Sequence, residues 1–175
     1  MPRINANAFA DQLNIVSRIN RIRKLEKGLK KRILVLDGAM GTMIQNHPLE
    51  EKDFRGESCG SAQINQKGNN DLLTLSQPNL ISDIHRSYLD ANADIITTNT
   101  FSSTRVAQAD FGMDHLAYDL NLKAAKLARS VADEKTEIDT SKPRFVAGVL
   151  GPTNRTASIS SDVNNPAMRN ITFEE

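Results

Sequence analysis

The chain predicts an α/β fold, namely the first strands and helices of a parallel (β/α)8 TIM barrel that is incomplete. Three observations carry this expectation. First, three short apolar runs each end in small polar or glycine residues. Residues 33–36 lead into Asp37-Gly38-Ala39-Met40-Gly41-Thr42, residues 94–96 into Thr97-Thr98-Asn99-Thr100-Phe101, and residues 145–150 into Gly151-Pro152-Thr153-Asn154. Buried parallel strands read as such runs, and ligands of α/β folds gather at the carboxyl ends of the strands. Second, helical patterns separate the runs, which implies right-handed βαβ crossovers. Third, a whole barrel takes about 250 residues, and the chain has 175.

Along the chain, residues 9–31 read as a helix. Phe9, Leu13, Val16, Ile19, Ile22 and Leu25 recur every three or four positions, with Arg and Lys between them. Residues 1–31 are therefore expected to be an amphipathic extension packed on the domain. A basic helix lying on a membrane surface is the sharper alternative. The first strand is expected at residues 32–36, and a short helix at 40–45 after the glycine turn. Residues 47–70 are polar and contain Pro48, Gly56, Gly60 and Gly68, so they read as a long loop. Loops of that length are often functional.

Pro78 suits the first turn of a helix running to about residue 91. Ile81, Ile84, Tyr88 and Leu89 form its apolar face, and Asn92 stands where a left-handed C-cap residue is expected. The second strand follows at once. Residues 103–111 are a loop with helical character, closed by Gly112. A helix rich in Ala, Leu and Lys follows over residues 116–133. Residues 134–143 connect to the third strand, and residues 153–170 are a polar loop. Thr172-Phe173-Glu174-Glu175 fits a capping box and announces another helix. A frayed tail at a genuine C-terminus is the alternative. Residues 32–175 are thus expected to form the N-terminal portion of a truncated barrel.

Composition narrows the class of function. Hydrophobic residues make up 39% and charged residues 25%, as in soluble globular proteins. A net charge of +1 gives no strong field toward nucleic acid. No apolar run approaches the roughly 20 residues of a membrane span. Secretion is not expected, because no apolar core precedes a small-residue cleavage site. The lone Cys59 excludes an internal disulfide and suits a reducing, cytoplasmic compartment. One Cys with His47, His85 and His115 does not make the three or four ligands of a zinc site.

The strand-end clusters are the candidate site. Asp37 could hold an ammonium group, and the N–H groups around Gly38 and Gly41 could approach a carboxylate. A glycine-rich turn with Asp capping the next helix explains the same residues. Thr98, Asn99 and Thr100 could bind a polar ligand, with Phe101 as an apolar wall. An ST-type turn is the plainer alternative. Gly151 and Pro152 shape the third exit, and Arg155 is either an anion partner or a surface arginine.

These motifs resemble the homocysteine S-methyltransferases. The resemblance runs through residues 37–42, Lys67-Gly68-Asn69-Asn70-Asp71, Thr98-Asn99-Thr100-Phe101 and residues 148–158. The longer run over residues 148–173 is similar to the cobalamin-dependent methionine synthase branch. The resemblance implies a (β/α)8 barrel binding homocysteine and zinc. It further implies that zinc-bound thiolate takes a methyl group from methylcobalamin, giving methionine, with methyltetrahydrofolate as the methyl source on downstream domains. It places Asp37 at the amino group of homocysteine and the N–H groups of Gly38, Ala39, Met40, Gly41 and Thr42 at its carboxylate. Thr98, Asn99 and Phe101 would line the pocket, with Gly151 and Pro152 at its edge.

Three departures from the family pattern stand out. Thr97 stands where Glu is frequent, and Ser161 where Pro is usual. The three zinc-binding cysteines of the family belong to later barrel strands, and Cys59 does not replace them. No catalytic or metal-ligand residue is therefore assigned, and these residues alone are expected to be inactive. A betaine- or S-methylmethionine-dependent methyltransferase, a non-catalytic small-molecule-binding fragment and a truncated, aggregating product are the alternatives.

Overall fold

Side-chain chemistry decides where regular pairing starts and stops. The computed structural model describes residues 6–57 and 63–172, with side chains from residue 17 onward. Helix α1 spans Ala6–Leu29. Of its apolar stripe, the side chains of Phe9, Leu13 and Val16 lie outside the described residues, Ile19 and Ile22 are exposed and Leu25 is half-buried. Ser17, Asn20 and Lys24 are likewise exposed and Arg21 is half-buried, and these four residues line a crevice beside the later helix Ala117–Ile138.

The expected strand at residues 32–36 is an extended segment with a single parallel bridge, Leu36 to Ile95. Asp94 is the physical reason. Its carboxylate takes the Arg32 guanidinium at 2.6 and 2.8 Å and the Val35 N–H at 2.9 Å. The Val35 carbonyl in turn accepts the N–H groups of both Asp94 and Ile95. The Asp94 side chain thus takes the Val35 N–H, and the ladder is limited to the backbone bonds around that one bridge. Ile33, Val35 and Leu36 remain exposed.

Helix α2 is Met40–Gln45, as its sequence predicts. Helix α3, Glu51–Arg55, interrupts the expected long loop. Glu50 and Asp53 form a reciprocal capping box there, and the Glu51 carboxylate accepts the N–H groups of Gln66 and Lys67. These bonds make that stretch an ordered excursion. Cys59 lies outside the described residues.

A 3-10 turn at Asn70–Leu72 leads into α4, Leu73–Ser76, and α5, Pro78–Asp90. On α5, Ile81, Ile84 and Leu89 are buried, with His85 on the same face. Asn92 adopts φ 82° and turns the chain into β1, Ile95–Thr97. Thr104 caps α6, Arg105–Gln108, by accepting the Ala107 N–H. Gly112, at φ 68°, ends the turn that follows.

Helix α7, Ala117–Ile138, extends beyond the expected residue 133. Arg86 pairs with Glu134 at 3.1 Å and Lys135 pairs with Asp90, so contacts to α5 hold the added turn. β2, Phe145–Ala147, pairs parallel with β1 in the register Ile95–Phe145, Ile96–Val146 and Thr97–Ala147. It ends before residue 150 because threonine hydroxyls take both backbone groups of Val149. Leu89, Ile96, Ala128, Val131 and Ala132 form the core between sheet and helices. The described residues are thus a mixed α/β structure with two parallel strands and an adjoining bridged segment. Residues 153–172 form turns without regular elements, as expected. The announced C-terminal helix falls on residues 173–175, outside the described residues.

Candidate functional site

The chain leaves β1 at Thr97, and this residue fixes the first loop. Its N–H donates to Asp37 Oδ2 at 2.7 Å, and its hydroxyl reaches both carboxylate oxygens at 3.0 and 3.1 Å. Burial pushes the Asp37 carboxyl up, opposed by these Thr97 bonds. Gly38 then passes beneath Tyr88, whose hydroxyl donates to the Ala39 carbonyl at 3.1 Å. A Cβ at Gly38 would stand 3.0 Å from that hydroxyl, so the close approach suits glycine. Helix α2 begins with no side-chain cap. Its first-turn N–H groups have no intrahelical acceptor and remain available.

The second wall is stitched by hydroxyls. Thr100 donates to the Val149 carbonyl at 2.9 Å, and the Val149 N–H donates to Thr98 Oγ1 at 2.9 Å. Thr98 Oγ1 lies 2.7 Å from Thr100 Oγ1. Since the Thr100 proton is committed to Val149, Thr98 is the donor in that pair. The Asn99 amide donates to the Asn70 carbonyl at 2.8 Å and to Thr74 Oγ1 at 3.3 Å. The loops after β1 and β2 are thereby bonded to each other, with Asn99 tying them to the 68–71 turn.

That turn supplies the third wall. Asp71 accepts the Ser102 N–H and the Ser103 hydroxyl, both at 2.7 Å. Burial pushes its carboxyl up, and the two serine bonds oppose this. Behind it, Asn69 and Gln108 exchange amide bonds at 2.9 and 3.1 Å, and Gln108 also donates to the Ser102 carbonyl at 3.0 Å. A fully paired buried network of this kind fixes its loops rigidly.

Together these walls enclose a cleft of about 560 Å³ at the carboxyl ends of the strands. Gly38, Ala39, Met40, Gly41, Thr42, Thr98, Asn99 and Phe101 all line it. Asp37 stands behind the wall, where it holds Thr97. Gly151 and Pro152 are not in the lining. Gly151 instead backs Phe101: a Cβ there would fall 2.0 Å from the Phe101 carbonyl oxygen. Gly151→Ala is therefore expected to destabilise the protein by about 1–3 kcal/mol, the usual range for overpacking. Chemical denaturation measures this, and an unchanged midpoint would show that the contact yields freely.

Asn69, Asn70, Asp71, Gln45 and Phe111 also line the cleft. None of them is marked as a site by residue pattern alone. The Lys67-Gly68-Asn69-Asn70-Asp71 motif was the signal for three of them. Arg155 pairs with Asp110 at 2.7 Å, as a surface arginine does. Among the described residues, no three His, Cys, Asp or Glu side chains come together as a metal site. These residues do not fit the zinc implied by the family resemblance.

Parallel strands with a polar cleft at their carboxyl ends define an α/β protein of the class whose ligand sites gather at strand ends. A family model described as homocysteine S-methyltransferase matches residues 34–175, and the chain belongs to that family. The fold is similar to that of the homocysteine methyltransferase MmuM from Escherichia coli. Its metallated form gives a TM-score of 0.55 at 24% identity, covering 71% of this chain and 40% of that one. Its oxidized form gives 0.55 at 26% identity, covering 71% and 39%. The chain thus spans about two fifths of the length of these structures.

Proposed function

We propose that the cleft grips the amino-acid end of homocysteine, the methyl acceptor in a reaction giving methionine. One observation carries this reading: the uncapped first turn of α2 opens onto the cleft, opposite Asn99 and Phe101. Its free N–H groups suit a carboxylate, and Phe101, half-exposed at the rim, suits the aliphatic part. Asp37 lies one residue before the cleft lining, and its carboxylate supplies negative charge on the ammonium side. Gly151 and Pro152 shape the edge through Phe101. Residues 32–175 act as the N-terminal portion of a (β/α)8 barrel, with residues 1–31 as an extension.

In this reading the methyl-transfer chemistry lies outside the cleft described here. Zinc makes a coordinating thiol into thiolate, the nucleophilic form, but the cysteines that would hold it belong to later strands in the family pattern. The run over residues 148–173 favours the cobalamin-dependent methionine synthase branch, with methyltetrahydrofolate as the methyl source and a cytoplasmic setting. Donor assays with methylcobalamin, betaine and S-methylmethionine separate the branches.

Calorimetry of the chain with L-homocysteine tests the cleft itself. Saturable binding is expected, and Gly41→Asp is expected to abolish it while leaving the fold intact. A Cβ at Gly41 meets only the Asn70 amide, at 3.6 Å. The added carboxylate would occupy the α2 N–H groups and repel the ligand. Equal affinity in the variant would sink the assignment.

A further inference from the structure

One face of α1 lines a basic crevice. Ser17, Asn20, Arg21 and Lys24 are spaced as one helical face, and that polar face is turned toward α7. Between the two helices lies a crevice of about 450 Å³. Arg21 and Lys24 enter it from α1, Arg129 from α7, and Arg144 from the residue before β2. Asp133 is the carboxylate in this lining, and it is already paired with Arg129 at 2.8 Å.

Arg144 is the decisive residue. It is 5% exposed, yet its Nε and Nη1 have no hydrogen-bond acceptor, and neither does Arg129 Nε. The carboxylate of Asp94 stays 3.9 Å from Arg144 Nη1, its oxygens already held by Arg32 and the Val35 N–H, and Asp139 lies within electrostatic reach of Arg144 without bonding it. Buried charged donors without acceptors are strongly unfavourable. Four cations facing each other also repel, unless an anion lies between them. A second basic cavity of about 340 Å³ adjoins this one through Lys24 and Pro143, and it is lined also by Lys27 of α1 and by Lys31, just past the end of that helix.

We propose that the crevice between α1 and α7 binds a phosphate-bearing small anion, gripped by Arg21, Lys24, Arg129 and Arg144. Guanidinium groups match the oxygens of phosphate bidentately. Among the described residues lining the crevice there is no aromatic side chain on which a nucleobase could stack. The site is therefore one for a compact phosphoryl group, at the opposite end of β2 from the cleft.

Calorimetry of the full chain tests this at constant ionic strength, with inorganic phosphate and glycerol 3-phosphate as probes and chloride as the reference. Saturable binding of inorganic phosphate assigns free phosphate. Binding of glycerol 3-phosphate alone assigns a phosphoryl group carried on a metabolite. Either supports the site if Arg129→Gln and the surface pair Arg21→Gln with Lys24→Gln each weaken it about tenfold, the worth of a charge-assisted bond. Circular dichroism checks that the variants fold. Absence of saturable binding to both probes overturns the proposal, as does unchanged affinity in the double variant. Binding of heparin that phosphate does not compete away would also overturn it, because that marks an open basic surface.

Discussion

Asp94→Ala is expected to lower the unfolding free energy by about 3–5 kcal/mol, the range for removing one partner of a buried ion pair. The side chain is 1% exposed and sits among three cations: Arg32 at 2.6 Å, Lys142 at 3.6 Å and Arg144 at 3.9 Å. Alanine would leave the buried Arg144 without its nearest counter-charge. It would also release Arg32 and the Val35 N–H, the bonds that hold the extended segment against β1. Asp94→Asn keeps the shape but not the charge, and its amide would point donors at donors, so it should recover little. Urea denaturation of the three proteins measures the effect. A loss under about 1 kcal/mol for alanine would mean that water replaces the carboxylate at low cost.

The same residue carries an acid limb. The Arg32 hydrogen bond, helped by the Val35 N–H and Lys142, holds its carboxyl down to about 2, against an ordinary value of 3.8. A depressed folded-state value contributes stability above the unfolded value and loses it as pH falls through the folded one. The Asp94 contribution is therefore present above about pH 3.8 and fades toward pH 2.

Asp94 also shows where reading the sequence stopped short. Residues 32–36 have the composition of a strand, and periodicity has no means of showing that a carboxylate 59 residues on would occupy the Val35 N–H. Helix α3 was hidden for a related reason. Its cap is Glu50 with Asp53 rather than the usual Ser or Thr with Glu, and its anchor Glu51 closes onto Gln66 and Lys67 across a polar stretch. Local rules did reach α2, the proline start of α5 and the left-handed Asn92, since a few adjacent residues decide each of them. In the cleft, the Gly38 to Thr42 turn and the Thr98 to Phe101 turn were legible because strand ends gather ligands. The wall built by Asn69, Asn70 and Asp71 was signalled by the Lys67 to Asp71 motif but not by residue pattern alone, because long-range bonds to Asn99, Ser102 and Ser103 place it. The basic crevice beside α1 was not legible either, because Arg129 and Arg144 reach it from distant parts of the chain.

His85 sets the pH at which the fold begins to weaken. It is fully buried on α5, and neither ring nitrogen has a hydrogen-bond partner. Burial alone drives its value down from 6.5 to about 4, so the ring is neutral at pH 7. On acidification the unfolded chain takes up a proton below pH 6.5, whereas the folded chain resists until about pH 4. Stability must therefore fall as pH drops across that window, by about 3 kcal/mol in all at roughly 1.4 kcal/mol per unit. The Asp94 limb begins only where this one ends. Asp37 and Asp71 have raised carboxyl values and act with the opposite sign. The informative quantity is thus the difference between the wild type and His85→Leu. Leucine sacrifices no hydrogen bond and keeps the apolar face of α5 continuous with Ile81, Ile84 and Leu89. The variant should match the wild type near pH 7.5 and exceed it progressively down to pH 4. Parallel stability curves over that range would show that His85 finds a proton acceptor or water on titration, and would remove burial as the cause.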